Sequence, residues 1–141
     1  MTLFCDTSAL IKLLIEEPDT ERMLRAAASA EWIAVCRITW AEATAAMTRP
    51  VREDPASAAA IEQARQGLSR LWSALVIVEV NQPLVEAADR LADAFALRGY
   101  DSVQLAAPHQ LQSNIEQSVT FACFERRLNQ AAQLLQLQVL N

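Results

Sequence analysis

Five short apolar runs punctuate the chain: Leu3–Cys5, Trp32–Cys36, Leu75–Val80, Val119–Cys123 and Leu137–Leu140. They are rich in branched residues and read as strands, while the longer segments between them repeat their apolar positions every three to four residues and read as helices. Ser8–Glu16 places Leu10, Leu13 and Leu14 on one side, and Asp19–Ala30 opens with Pro18-Asp19-Thr20-Glu21. Thr39–Arg49 is expected to stop before Pro50, because the residue before a proline avoids helical geometry. Pro55–Trp72 carries Ile61, Ala64, Leu68, Leu71 and Trp72 at helical spacing.

Pro83–Arg98 is the most regular amphipathic segment, with Leu84, Ala88, Leu91 and Phe95 on one stripe and Gly99 as the expected C-terminal stop. Asp101–Gln112 is expected to be helical with a kink or an early end at Pro108, where the missing amide and ring clash cost about 3 kcal/mol. Glu125–Leu135 forms the last helix and feeds the terminal run. Strands that alternate with helices imply an α/β fold: a mostly parallel central sheet of about five strands, covered by helices on both faces. One domain over residues 1–141 suits this length and the absence of a repeat or linker. In such sheets the working site lies beyond the carboxyl ends of the strands.

Composition narrows the function. The chain is 52% hydrophobic and carries a net charge of −5, so it lacks the diffuse positive field that holds most duplex-binding proteins on DNA. Any nucleic-acid contact must be local. Of 12 basic residues only Lys12 is lysine, and arginine favours planar partners such as phosphate or carboxylate. The start lacks a basic, apolar secretion signal and no run approaches a membrane span, which predicts a soluble cytoplasmic protein. Cys5, Cys36 and Cys123 are odd in number and set in apolar surroundings, as reduced core thiols would be. A single histidine, His109, argues against a zinc site and against a His-based triad.

Candidate chemistry lies in four acids, two leaving strand ends directly and two beginning helices that must return toward the sheet. Asp6 follows the first strand, Glu42 sits in Thr39-Trp40-Ala41-Glu42, Asp101 follows Gly99-Tyr100, and Glu125 follows the fourth strand. Each alone is explained by helix capping, since Asp at an N-cap and Glu three residues on satisfy free backbone amides. Together they could converge at one edge of the sheet. Carboxylates held together repel and need protons or a cation, and hard divalent cations take oxygen ligands. A cation so held can activate water and stabilise a phosphate under in-line attack.

The segments also carry a resemblance. Leu3-Phe4-Cys5-Asp6-Thr7-Ser8-Ala9-Leu10-Ile11-Lys12-Leu13 resembles the opening signature of the PIN-domain nucleases. Thr39-Trp40-Ala41-Glu42 resembles the segment bearing that family's glutamate, Gly99 to Ala106 its third-acid motif, and Cys123 to Ala132 its fourth. The likeness covers nearly the whole chain and points to the VapC-type toxins of toxin–antitoxin pairs. It implies a three-layer PIN-like fold and an endoribonuclease using Mg2+ or Mn2+, with a cognate antitoxin partner and a homodimeric assembly. Asp6, Glu42, Asp101 and Glu125 are carried over as catalytic residues and metal ligands.

Three departures from the pattern stand out. Glu125 occupies a position more often aspartate, Gln104 one that is often histidine, and Pro108 interrupts a helix that is usually continuous. These motivate an alternative, a catalytically weakened PIN-like module that binds a protein or RNA. Ser8 is expected to support the site's geometry by hydrogen-bonding to Asp6 or to a metal-bound water. Lys12, Arg98, Arg126 and Arg127 are the basic residues nearest the acids and are candidates for contacts to RNA phosphates or to a partner. A phosphatase or receiver domain fits less well, because Asp6-Thr7-Ser8 lacks a second aspartate two residues on.

Overall fold

The computed structural model describes residues 1–140. Five strands, β1 (Thr2–Cys5), β2 (Trp32–Cys36), β3 (Val76–Val78), β4 (Val119–Ala122) and β5 (Gln138–Val139), form one sheet in the order β3-β2-β1-β4-β5. All four pairings are parallel, with Leu3 opposite both Ile33 and Thr120. The α/β architecture expected from the alternation is present. The chain builds outward from β1 to β3 on one side and then returns to place β4 and β5 on the other. The change of direction falls between β1 and β4, the kind of switch point where open parallel sheets hold their ligands.

Among the described residues seven α-helices cover the two faces: α1 (Thr7–Lys12), α2 (Thr20–Ser29), α3 (Thr39–Glu53), α4 (Ala58–Trp72), α5 (Gln82–Phe95), α6 (Gly99–Ile115) and α7 (Arg126–Leu134). Period-two alternation along the strands divides the core between those faces. Leu3, Cys5 and Val35 pack with Leu10, Met23, Met47 and Leu68 of α1–α4. Phe4, Ala34, Cys36 and Phe121 face Leu84, Leu105 and Leu128 of α5–α7. Phe4 and Phe121 are paired neighbours in register, with ring centroids 6.1 Å apart. Cys5, Cys36 and Cys123 are free and buried, as their apolar settings indicated.

Several helix limits differ from the pattern read in the sequence, and packing explains the differences. α1 ends at Lys12 rather than Glu16, because the chain then turns toward Pro18 and Lys12 Nζ bonds both Glu17 Oε1 (3.0 Å) and the Pro18 carbonyl (2.8 Å). α3 runs through Pro50 to Glu53, with Val51 still packed against the core. α6 runs through Pro108 to Ile115, because Leu105, Ala106, Ala107 and Pro108 are all buried and tertiary burial outweighs one lost helical bond.

Gly99 does not stop α5. That helix ends at Phe95, where Ala96 adopts the left-handed conformation at φ 52°. Gly99 opens α6 instead, so only Leu97 and Arg98 separate α6 from Ala96 and the first turn of α6 is brought close to the end of α5. Asp101 consequently sits inside the first turn of α6 rather than at its cap, where a negative charge meets the positive end of the helix.

Candidate active site

Asp6 leaves β1 at the switch point. Its amide donates to the Ala122 carbonyl at 3.1 Å, extending the β1–β4 pairing by one residue. Its side chain caps α1: Oδ1 accepts from the Ala9 amide at 2.9 Å and from Ser8 Oγ at 2.7 Å. Capping therefore accounts for one carboxylate oxygen and not for the burial, which leaves Asp6 only 4% exposed. Burial lifts its carboxyl above the usual aspartate range; the Ser8, Cys123 and Ala9 donors pull it back, and the Glu42 charge adds to the rise. Ser8 is tied in further, since its Oγ accepts from the Phe124 amide at 3.1 Å and so links the ends of β1 and β4.

Glu42 lies in the first turn of α3, after β2. It does not close a capping box: α3 starts without a side-chain cap, and Glu42 Oε1 accepts from Thr7 Oγ1 at 2.8 Å and from Gln104 Nε2 at 2.7 Å. Glu125 precedes α7 without capping it by its side chain. Loss of solvent raises the Glu125 carboxyl above its usual range, followed by the charges of Asp101, Asp6 and Glu42 and opposed by Arg98. The four acids are thus electrostatically one group.

Glu42, Asp101 and Glu125 line a single open cleft of about 870 Å³, together with Leu97, Arg98, Tyr100 and Arg127. Tyr100 is 63% exposed beside Asp101. Arg127 also donates to the Ala96 carbonyl at 3.0 Å, which holds its stem against the end of α5. Arg126 is exposed and makes no contact that places it in the cleft.

Lys12 lies elsewhere. Its ammonium is 4.6 Å from the centre of the Phe124 ring and bonded to Glu17 and Pro18, so it fastens the loop between α1 and α2 and is not a free cation at the cleft. Lys12 is therefore not among the residues lining the cleft, unlike Arg98 and Arg127.

Among the described residues no three His, Cys, Asp or Glu side chains are already gathered closely enough to enclose an ion. The donor chemistry nevertheless fits a hard divalent cation of the kind that takes one or two direct carboxylates and keeps several waters. Burial, and then neighbouring carboxylate charge, raises the Asp6 and Glu125 carboxyls, and a cation beside them would favour their ionised forms. Zinc fits poorly, because the three cysteines are buried in the hydrophobic core on opposite faces of the sheet and neither they nor the single histidine lines the cleft.

Two contributors were not assigned a role from the sequence. Thr7 carries no signal in the sequence beyond its place after Asp6, and Gln104 stands out there as a departure from the family pattern. The available signal was a glutamine inside the apolar stretch Val103-Gln104-Leu105-Ala106, where a polar group needs partners. Gln104 is 3% exposed, and its Oε1 finds no donor among the described residues, at a cost of about 1–3 kcal/mol.

The model of the PIN domain family matches residues 3–132, which include β1, the acid-bearing segments and most of α7. The chain belongs to the PIN domain family. Among individual relatives, Ribonuclease VapC45 of Mycobacterium tuberculosis (strain CDC 1551 / Oshkosh) is 28% identical over 92% of this chain and 88% of its own length. Ribonuclease VapC49 of Mycobacterium tuberculosis (strain ATCC 25618 / H37Rv) gives the same identity and coverage. The fold is also that of VapBC2 from Rickettsia felis, solved bound to a DNA fragment from their promoter. That likeness has a TM-score of 0.67 at 14% identity and covers 99% of this chain and 97% of the other. No helix among the described residues is long and apolar enough to cross a membrane.

Proposed function

We propose that this PIN-domain chain is a divalent-metal-dependent endoribonuclease, the toxin of a toxin–antitoxin pair, with residues 1–141 acting as one domain. The observation that carries the reading is the cleft lined by Glu42, Asp101 and Glu125 beside the buried Asp6, where burial and then the charges of the other three acids raise the Glu125 carboxyl. Membership of the PIN family and the ribonuclease names of the two mycobacterial relatives support the same reaction.

Asp6, Glu42 and Asp101 would hold Mg2+ or Mn2+, with Glu125 as a fourth carboxylate. When bound, the cation activates water and neutralises the charge that develops on the phosphate. Ser8 and the Ala9 amide fix one oxygen of Asp6, which orients the other. Arg98 and Arg127, on the cleft wall, bind the phosphates flanking the scissile bond. Their local charge answers the problem posed by a chain whose net charge is −5. The open cleft admits a single strand or a loop whose backbone is accessible.

A cognate antitoxin is the proposed protein partner and a homodimer the proposed assembly, by extension from the relatives. A second reading, a PIN module that binds RNA or protein without efficient cleavage, is favoured by Glu125 and by the absence of a pre-gathered three-donor group among the described residues. Induced expression of the wild type and of Asp6→Asn in a bacterial host separates the two. Growth arrest with RNA breakdown in the wild type alone supports the toxin; equal effects from both, with intact RNA, support the binding module.

A further inference from the structure

We propose that Gln104 is the positioning residue of the carboxylate group, holding Glu42 so that only its Oε2 oxygen is offered to a divalent cation. The inference rests on the nuclease reading and specifies how one ligand is held. Gln104 stands three residues after Asp101 on α6, turned inward. Its Nε2 lies 2.7 Å from Glu42 Oε1, 2.8 Å from Thr39 Oγ1 and 3.2 Å from Thr7 Oγ1. One carboxamide therefore ties α6, which carries Asp101, to α1, whose cap is Asp6, and to α3, which carries Glu42.

Chemistry decides which end of the amide faces Glu42. An ionised carboxylate only accepts, so the NH2 must point toward it and the carbonyl away. Thr7 Oγ1 donates to the same Oε1 at 2.8 Å. Two donors on Oε1 leave Oε2 with no donor among the described residues, so Oε2 is the oxygen that would face a cation. The unpartnered Gln104 carbonyl is the counterpart. An apolar side chain of equal length would fill this volume without a stranded acceptor, so packing alone does not account for a glutamine here. What the amide adds is a fixed direction for a ligand carboxylate.

The test is Mn2+ binding by calorimetry, without RNA, on the full chain and on Gln104→Met, Glu42→Gln and the double variant, with metal-free melting measured on each. Gln104→Met is expected to weaken Mn2+ binding by roughly 10–100-fold while the metal-free protein melts no lower than wild type. In the Glu42→Gln background the same change should add little. Unchanged affinity in Gln104→Met, or a loss that persists undiminished in that background, overturns the proposal. A lower melting temperature with unchanged affinity assigns Gln104 a purely structural role and also overturns it.

Should Gln104→Met fail to fold, Gln104→Asn keeps the amide but withdraws it by about 1.5 Å, one C–C bond. It must weaken Mn2+ binding too, and wild-type affinity there counts against the proposal. Failure of the wild type to bind Mn2+ contradicts the nuclease reading itself. Weakening in Glu42→Gln with normal Gln104→Met contradicts this inference alone.

Discussion

The Thr7 hydroxyl donates a 2.8 Å hydrogen bond to Oε1 of Glu42, joining the helix that follows β1 to the helix that follows β2. Two elements separated by 35 residues in sequence are thereby registered at the edge where the acids collect. A hydrogen bond to a charged acceptor is worth about 1.5–3 kcal/mol, so its loss should be visible in catalysis. Thr7→Val is expected to lower RNA-cleavage kcat about tenfold or more, and Thr7→Ser to restore most of it. Steady-state cleavage of one RNA by the three proteins checks this.

Asp6 is an N-cap and a buried charge together, and the two roles can be separated. Asparagine caps as well as aspartate, so Asp6→Asn keeps the Ala9 contact while removing the charge. Since burial raises the folded-state carboxyl above its unfolded value, ionised Asp6 destabilises the metal-free protein at neutral pH. The substitution is expected to raise the metal-free melting temperature at pH 7, by roughly 2–4 °C for each kcal/mol relieved. It should also abolish most of the stabilisation that Mg2+ or Mn2+ gives the wild type. A metal shift untouched by Asp6→Asn would leave Asp6 as a cap alone.

The same sign fixes a pH dependence. Asp6 and Glu125 both bind protons more readily in the fold than in the unfolded chain. In a window opening near the ordinary carboxylate values, about 3.9 and 4.3, and extending upward, their contribution to metal-free stability falls as pH rises. The excess stability of Asp6→Asn over wild type should therefore grow from about pH 4 toward pH 7. Calorimetric melting of both proteins across that range measures it, and an excess that shrinks with pH contradicts the burial argument.

Lys12 and the cleft arginines should part company. Lys12→Met breaks a half-buried ion pair with Glu17 and the bond to Pro18, so it is expected to lower stability by about 1–3 kcal/mol with kcat/KM of the remaining folded protein unchanged. Arg98→Ala and Arg127→Ala should do the opposite, raising KM for RNA and reducing the salt dependence of binding by about one unit of slope each. Melting and salt-dependent RNA binding on the same three variants distinguish the roles.

The strand runs and the amphipathic stripe of α5 were legible in the sequence because burial of one face imposes a period that composition alone reveals. Helix limits were less so. Pro50, Gly99 and Pro108 are local punctuation, and in each case a tertiary circumstance set the boundary: Val51 against the core, Ala96 taking the left-handed turn, and a buried face around Pro108. The acids were named individually from their junctions, and three of them line one cleft while Asp6 is buried. The inward partners were not legible. Whether Lys12 meets RNA or Glu17, and whether Gln104 meets water or Glu42, depends on side-chain directions that no spacing encodes.

The central claim is that oxygen ligands on these acids make the chain a metal-dependent ribonuclease. The direct test is single-turnover cleavage of a defined single-stranded RNA by purified protein, with Mg2+ or Mn2+, with excess chelator, and with Asp6→Asn under identical conditions. The account predicts cleavage only in wild type with metal. Cleavage that survives both the chelator and Asp6→Asn would contradict it.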